Sequence, residues 1–258
     1  MVMSEPPTDD RQPLRAERIE LSTPWVGVEV HDVVGSTNAV VAARGVPWLA
    51  VTAEAQSEGR GRLDRSWTTT PGRSLAVSAL VPPPALPGWV PLLTGLAVIR
   101  AVEDVCGLDV RLKWPNDVLC PADADRKLAG ILCEWVGGGI VVGTGINVGQ
   151  GRDELPVDTA TSLRLCGAVA VERERLLTAY LTHLAALVGA LDEEGSAEAD
   201  AYRERCTTIG REVLLHLPDG TTRTGPATEV DDDGRLVLQT PSGPYAASAG
   251  DVVHVRTA

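Results

Sequence analysis

The stretch EGRGRLDRSW, Glu58 to Trp67, sets three arginines around two glycines in a chain whose formal net charge is −12. Gly59 and Gly61 let the backbone approach a ligand closely. In an extended segment Arg60 and Arg62 project to the same side. From Gly59 to Arg73 four arginines stand against one aspartate, a local charge of +3. Such a reversal is the footprint of a bound phosphate or carboxylate; a solvated basic turn is the other reading. Trp67, closing a polar loop, favours a loop that folds back over something. The opening G-x-G resembles a dinucleotide fingerprint, but Asp64 replaces the third glycine and no helix pattern follows. No Walker A sequence G-K-[ST] occurs.

Strand patterns flank the loop. Residues 47–56 (PWLAVTAEAQ) read as a strand feeding it and residues 74–81 (SLAVSALV) as the strand leaving it. Upstream, residues 25–34 form a strand pattern, and GSTNAVVAAR (35–44) reads as a short helix with Ser36 or Thr37 as cap. After a proline-rich break at 82–87, residues 88–105 carry helical apolar spacing. DVRLKW (109–114) is a strand ending on the turn formers Pro115, Asn116 and Asp117. Residues 127–136 and 139–148 form two strands joined as a hairpin at Gly137–Gly139. Residues 171–194 predict a long amphipathic helix and 197–206 a shorter one. Beyond Ile209 apolar and polar residues alternate, with turn signals at Asp219–Gly220, Asp233–Gly234 and Ser242–Gly243. About five short strands there predict a small β-barrel. The expected organisation is a flexible tail over 1–22, a catalytic domain over 23–208 and a small barrel domain over 209–258.

The 258 residues, 44% of them apolar, suffice for one substantial core. A pI near 4.8 makes the chain a poor non-specific binder of DNA or anionic membrane. No apolar run reaches about 18 residues, and the polar, proline-rich N-terminus lacks a signal-peptide core. The expected location is the cytoplasm. The five cysteines are scattered, never in C-x-x-C spacing, and read as reduced thiols; a zinc site is not expected. Of 23 basic residues only Lys113 and Lys127 are lysines. Both fall in KWPNDVLCPADADRK, which suggests chemistry that wants a compact ammonium.

Together GRGRLDRSW, KWPNDVL, KLAGIL and GTGINV, with STN upstream, resemble the motifs of the biotin protein ligases (biotin–[acetyl-CoA-carboxylase] ligases), in that family's order across about residues 25–150. Where the family usually has glycine, this chain has Asp64, among the few residues that tolerate a left-handed backbone. The resemblance implies an α+β fold. Its catalytic domain is a mixed β-sheet of the class II aminoacyl-tRNA synthetase/biotin synthetase-like type, followed by a small SH3-like β-barrel. It implies a monofunctional enzyme without an N-terminal DNA-binding domain, a monomer or weak homodimer that binds neither DNA nor membrane.

The implied reaction has two steps. Biotin carboxylate attacks the α-phosphate of ATP, giving biotinyl-5′-AMP and pyrophosphate. A lysine of an acceptor, the biotin carboxyl carrier domain of acetyl-CoA/acyl-CoA or pyruvate carboxylase, then displaces AMP. By resemblance the catalytic groups are Lys127, Arg62 and Arg60. Lys127 would bridge carboxylate and α-phosphate. Biotin would meet Ser36, Thr37 and Asn38 as donors to its ureido group, with Gln56, Gly59, Arg60, Gly61, Arg62, Lys127, Gly130, Leu132 and Gly145. ATP would meet Arg62, Arg65, Trp67, Asn116, Lys127, Gly145 and Asn147, with Gly143 leaving room beside the strands. Asp117 is the candidate Mg²⁺ ligand, and Lys113 a structural support or secondary phosphate contact. A lipoate–protein ligase of the same superfamily and a non-catalytic biotin-binding regulator are the alternatives.

Overall fold

The computed structural model describes residues 12–63, 65–192 and 197–255. Seven strands form one mixed sheet: β1 (Gly27–Val34), β2 (Leu49–Gln56), β3 (Ser74–Val81), β4 (Arg111–Lys113), β5 (Asp117–Cys120), β6 (Arg126–Val136) and β7 (Gly139–Asn147). Their order is β1-β2-β3-β7-β6-β5-β4. Only β1 and β2 pair in parallel, joined by helix α1 (Thr37–Arg44) as a crossover. The remaining pairs are antiparallel.

Both faces of the sheet are covered. On one, helices α2 (Val90–Cys106) and α3 (Arg173–Gly189) pack on each other, with helix α4 (Ala197–Arg205) against α2. Pro91 at the start of α2 and Gly107, left-handed at φ +63°, bound that helix. On the other face lies the short α1. It buries Val41 against Val51, Leu80 and Val141 and covers only part of the sheet, leaving the rest of that face for a site.

Five further strands, β8 (Glu212–His216), β9 (Thr222–Val230), β10 (Leu236–Thr240), β11 (Gly243–Ala247) and β12 (Asp251–His254), form an antiparallel sheet in the order β11-β10-β9-β8-β12. β9 serves both halves, pairing with β8 through residues 222–226 and with β10 through 227–230. Buried Val213 and Leu215 of β8 and Leu236 and Leu238 of β10 join the same apolar core as α2 and α3.

Four expectations need correction. The tail expected over 1–22 is packed where it is described. Leu14 and Ile19 are buried, and Leu14 N donates to Glu54 Oε1 at 2.6 Å; residues 1–11 lie outside the described residues. Asp117 does not close a turn but opens β5, because its β-branched and apolar followers pair on both sides. The long helix ends at Gly189 and passes into a 3-10 turn over Ala190–Asp192. The cysteines are not all free: Cys120 and Cys166 form a disulfide across 46 residues, brought together by β5 and the segment after β7.

Beneath the site a buried ion pair fixes the N-terminal segment. Arg173 donates to both carboxylate oxygens of Glu54 at 2.9 Å and to Ser74 O. Burial pushes the Glu54 carboxyl up, but Arg173 and the Leu14 and Gly72 amides outweigh it and hold it below its ordinary value.

Candidate active site

The site begins with missing side chains. On the α1 face of the sheet Leu132 lies opposite Gly143 and Gly130 opposite Gly145, while Ser78 and Ala76 flank those glycines from β3. Small residues at alternate positions of three adjacent strands leave a hollow above the sheet. A cavity of about 630 Å³ opens there. Two side chains already rest on its floor. A Cβ at Gly143 would overlap the Asn38 amide, and one at Gly145 would overlap the Trp67 indole.

The arginine loop forms one wall. Arg60 and Ser66 bridge as a short hairpin, Gly61 N donates to Arg65 O at 2.6 Å, and Trp67 N donates to Gly59 O at 2.8 Å. Gly59 has no room for a Cβ because the Trp67 carbonyl lies against it. Asp64 lies outside the described residues. The three loop arginines fan to three supports. Arg60 Nη2 reaches Glu134 on β6 at 3.2 Å. Arg62 Nη1 donates to Asn116 Oδ1 at 3.3 Å and Gly250 O at 3.0 Å. Arg65 Nη2 meets Asp251 of β12 at 2.6 Å. The C-terminal sheet therefore closes the site against the loop.

Lys127 stands over Gly130, beside Trp67 of the loop. The β5–β6 register slips by one residue between Val118 and Leu119, so that Val118 pairs with Ala129 but Leu119 with Lys127. This bulge leaves Leu128 in the core and aims Lys127 back toward the pocket face. Its ammonium lies 2.5 Å from Asp117 Oδ1 and 5.9 Å from the Trp67 ring centroid. Lys113 stands 3.9 Å from Asp117 Oδ2 and outside the cavity lining, which fits support rather than direct contact.

Of the expected residues, Ser36, Thr37, Asn38, Gln56, Arg60, Gly61, Arg62, Arg65, Trp67, Asn116, Asp117, Lys127, Gly130, Leu132, Gly143, Gly145 and Asn147 all line this cavity; Gly59 sits just behind it. Several have geometry the motifs do not disclose. Ser36 is the N-cap of α1 but makes no capping bond. Gln56 Oε1 instead accepts from Thr37 N (2.8 Å) and Thr37 Oγ1 (3.0 Å). Asn38 Nδ2 donates to Glu134 Oε2 at 2.6 Å, so it braces the wall. Asn147 is buried, donating to Thr161 O and accepting from Gln150, and holds the next segment in place.

That segment is what sequence reasoning missed. Pro156, Val157, Thr159 and Ala160 line the cavity, tied to β6 by Lys127 N donating to Thr159 O and Thr161 N to Lys127 O, both 2.8 Å. Ser78, Glu134 and Asp251 were also missed. Their polar character in strands was the one available signal.

Arg62 is the electrostatic centre. It is partly buried, and burial pulls its guanidinium below the ordinary value, opposed by the charges of Asp251 and Asp117. It stays a cation. Among the described residues no carboxylate lies in ion-pair contact with it, only the neutral acceptors Asn116 and Gly250. A partly desolvated cation held this way favours an incoming anion. The donor set does not fit a protein-held metal. Asp117 already faces two ammonium groups, and no group of three His, Cys, Asp or Glu among the described residues could hold an ion.

Fold and site define a class: α+β proteins with an arginine- and lysine-lined pocket on a mixed sheet, bounded by an arginine loop and a C-terminal barrel-type sheet. Known proteins agree. The Biotin/lipoate A/B protein ligase family matches residues 46–150 and the Biotin protein ligase C terminal domain matches 208–255. The chain is 37% identical to the biotin–[acetyl-CoA-carboxylase] ligase of Mycobacterium tuberculosis, over 97% of each chain. It is 31% identical to the bifunctional ligase/repressor BirA of Escherichia coli, covering 88% of this chain and 74% of that one. The Aquifex aeolicus biotin protein ligase solved with biotin and ATP superposes with a TM-score of 0.78 at 27% identity, covering 90% of this chain and all of that one. This chain belongs to the biotin protein ligase family.

Proposed function

We propose that the protein joins biotin to ATP to form biotinyl-5′-AMP and then to a lysine of a biotin carboxyl carrier domain. The observation that carries this reading is Arg62, a partly buried cation among neutral acceptors, lining one cavity with Lys127, whose ammonium lies over Gly130. Both substrates are anions. In the first step a biotin carboxylate oxygen bonds to the α-phosphorus and the bond to the bridging oxygen of pyrophosphate breaks. Arg60 and Arg62 would neutralise carboxylate and phosphate, Lys127 would follow the oxygens that move between them, and Arg65 would serve the pyrophosphate. No covalent enzyme intermediate is needed; fixed charge and proximity do the work. In the second step the acceptor amine bonds to the acyl carbon, AMP leaves, and the amine proton passes to water.

Ser36, Thr37 and Gln56 would address the ureido group, with Asn38 bracing them, and Leu132 would pack on the ring system. Trp67 lies where an adenine or the biotin ring would stack, with Asn147 holding segment 156–160 beside it. Mg²⁺ would arrive on the triphosphate, held by phosphate and water. The acceptor would be the carrier domain of an acetyl-CoA/acyl-CoA or pyruvate carboxylase. Residues 23–208 would act as the catalytic unit and 209–258 as the barrel that closes it, in a cytoplasmic monomer or weak dimer that does not bind DNA. No observation favours lipoate or a non-catalytic role.

The test is biotin transfer to a purified carrier domain with ATP, alongside lipoate. The expected result is ATP-dependent labelling by biotin and none by lipoate. Labelling by lipoate alone, or by neither acid, overturns the proposal.

A further inference from the structure

A continuous polar chain crosses the site behind its wall. Gln56 on β2 accepts from Thr37 at the head of α1. Ser78 Oγ on β3 lies 2.7 Å from Thr37 Oγ1 and 2.6 Å from Asn38 Oδ1. Asn38 Nδ2 donates to Glu134 Oε2 at 2.6 Å, and Arg60 Nη2 donates to the same carboxylate at 3.2 Å. One chain of contacts thus joins the helix head, three strands and the arginine loop.

Glu134 is the link that matters. It stands on the pocket face of β6, two residues beyond Leu132, and its side chain is only 31% exposed. A carboxylate only accepts, so it forces Asn38 to present nitrogen toward β6 and oxygen toward Ser78. Gly143 makes this posture possible, since any side chain there would occupy the amide's place. The same carboxylate pairs with Arg60 of the loop. An isolated strand glutamate has no need of two partners from separate elements.

We propose that Glu134 is a positioning residue that ties the α1 recognition head to Arg60 of the arginine loop, so that the groups meeting biotin's ureido end and its carboxylate end are held in register. The inference rests on the ligase reading above. Glu134 contributes no group to the reacting atoms. It holds Arg60 where a carboxylate of the substrate will meet it.

The experiment is steady-state, biotin-dependent exchange of pyrophosphate into ATP by the full chain and by Glu134→Gln, Glu134→Asp and Glu134→Ala, with thermal unfolding of each. Gln keeps the shape and one acceptor for Asn38 but loses the ion pair with Arg60. The expected result is a rise of about tenfold in KM for biotin in Glu134→Gln, with kcat and the KM for ATP changed less than about threefold. Glu134→Asp, which keeps the charge, recovers part of the loss, and Glu134→Ala loses more than Gln. Unchanged KM for biotin in both Gln and Ala variants overturns the proposal. So does an equal rise in both KM values that tracks a fall in Tm, the mark of a merely structural residue. If the unmodified protein shows no biotin-dependent exchange, the ligase reading falls first and this inference falls with it.

Discussion

Lys127 Nζ lies 2.5 Å from Asp117 Oδ1, and the same carboxylate faces Lys113 at 3.9 Å. The chain's two lysines thus share one counter-ion beside a pocket in which, among the described residues, no carboxylate lies in ion-pair contact with Arg62. Asp117 holds the Lys127 ammonium over Gly130. Lys127→Ala should lower the rate of biotinyl-5′-AMP formation by about 10²–10³, the loss expected for a preorganised charge contact. Lys127→Arg should not restore it, because a planar fork cannot follow oxygens as a point charge does. Asp117→Asn should cost about tenfold, and the double variant should be no slower than Lys127→Ala alone. Single-turnover adenylate formation measures all three; near-normal rates in Lys127→Ala would contradict the assignment.

The floor depends on absent side chains. Gly145→Ala should place a methyl group inside the Trp67 ring, displacing the indole into the cavity. The KM values for biotin and ATP should both rise at least about tenfold, and Tm should fall by an amount corresponding to about 1–3 kcal/mol of overpacking. Adding Trp67→Ala should restore Tm without restoring activity. A Gly145→Ala protein with ordinary KM values would show that the ligands do not use this floor.

The pair Glu54–Arg173 carries stability rather than chemistry. Both side chains are at most 10% exposed, and each is the main charge partner of the other. Glu54→Ala or Arg173→Ala leaves one buried charge uncompensated, which should cost about 3–5 kcal/mol. Removing both should cost much less than the sum. Denaturant unfolding of the three variants checks this. Additive losses would mean the two charges act independently.

His254 makes stability depend on pH. Burial, then the charges of Lys113 and Arg211, pull its pKa from 6.5 down to about 4, with Asp125 opposing. The unfolded chain therefore takes up this proton first as pH falls. The group's contribution is intact above about 6.5 and declines between 6.5 and 4. The loss is about 1–2 kcal/mol once solvent screening of the ring is allowed for. His254→Asn should lose less stability than the unmodified protein over that interval. Parallel stability curves for the two would contradict the shift.

Much of this molecule is legible in its sequence, for identifiable reasons. Strands flanking the arginine loop announce themselves as short, nearly continuous apolar runs buried on both faces, and α2 through its helical spacing. The parallel β1–β2 pair, and β3 seated beside β7, are invisible locally, since pairing order is settled by packing across long separations. β5 hides behind Pro115 and Asn116, whose turn chemistry masks the strand that Asp117 begins. Motif resemblance located the pocket residues, but not their division of labour. That Asn38 also donates to Glu134 could not be read from the motif. Residues 156–160 carry no periodicity, and Asp251 enters from the barrel more than a hundred residues away, so neither could be placed without the fold.

The most direct test of the account is a crystal structure of the protein with biotin and a non-hydrolysable ATP analogue. The account predicts the biotin carboxylate and the α-phosphate side by side over Gly130 and Gly145, both within hydrogen-bond reach of Lys127 and the Arg60–Arg62 guanidinium groups. Ligand density lying away from Lys127 and the loop would contradict it.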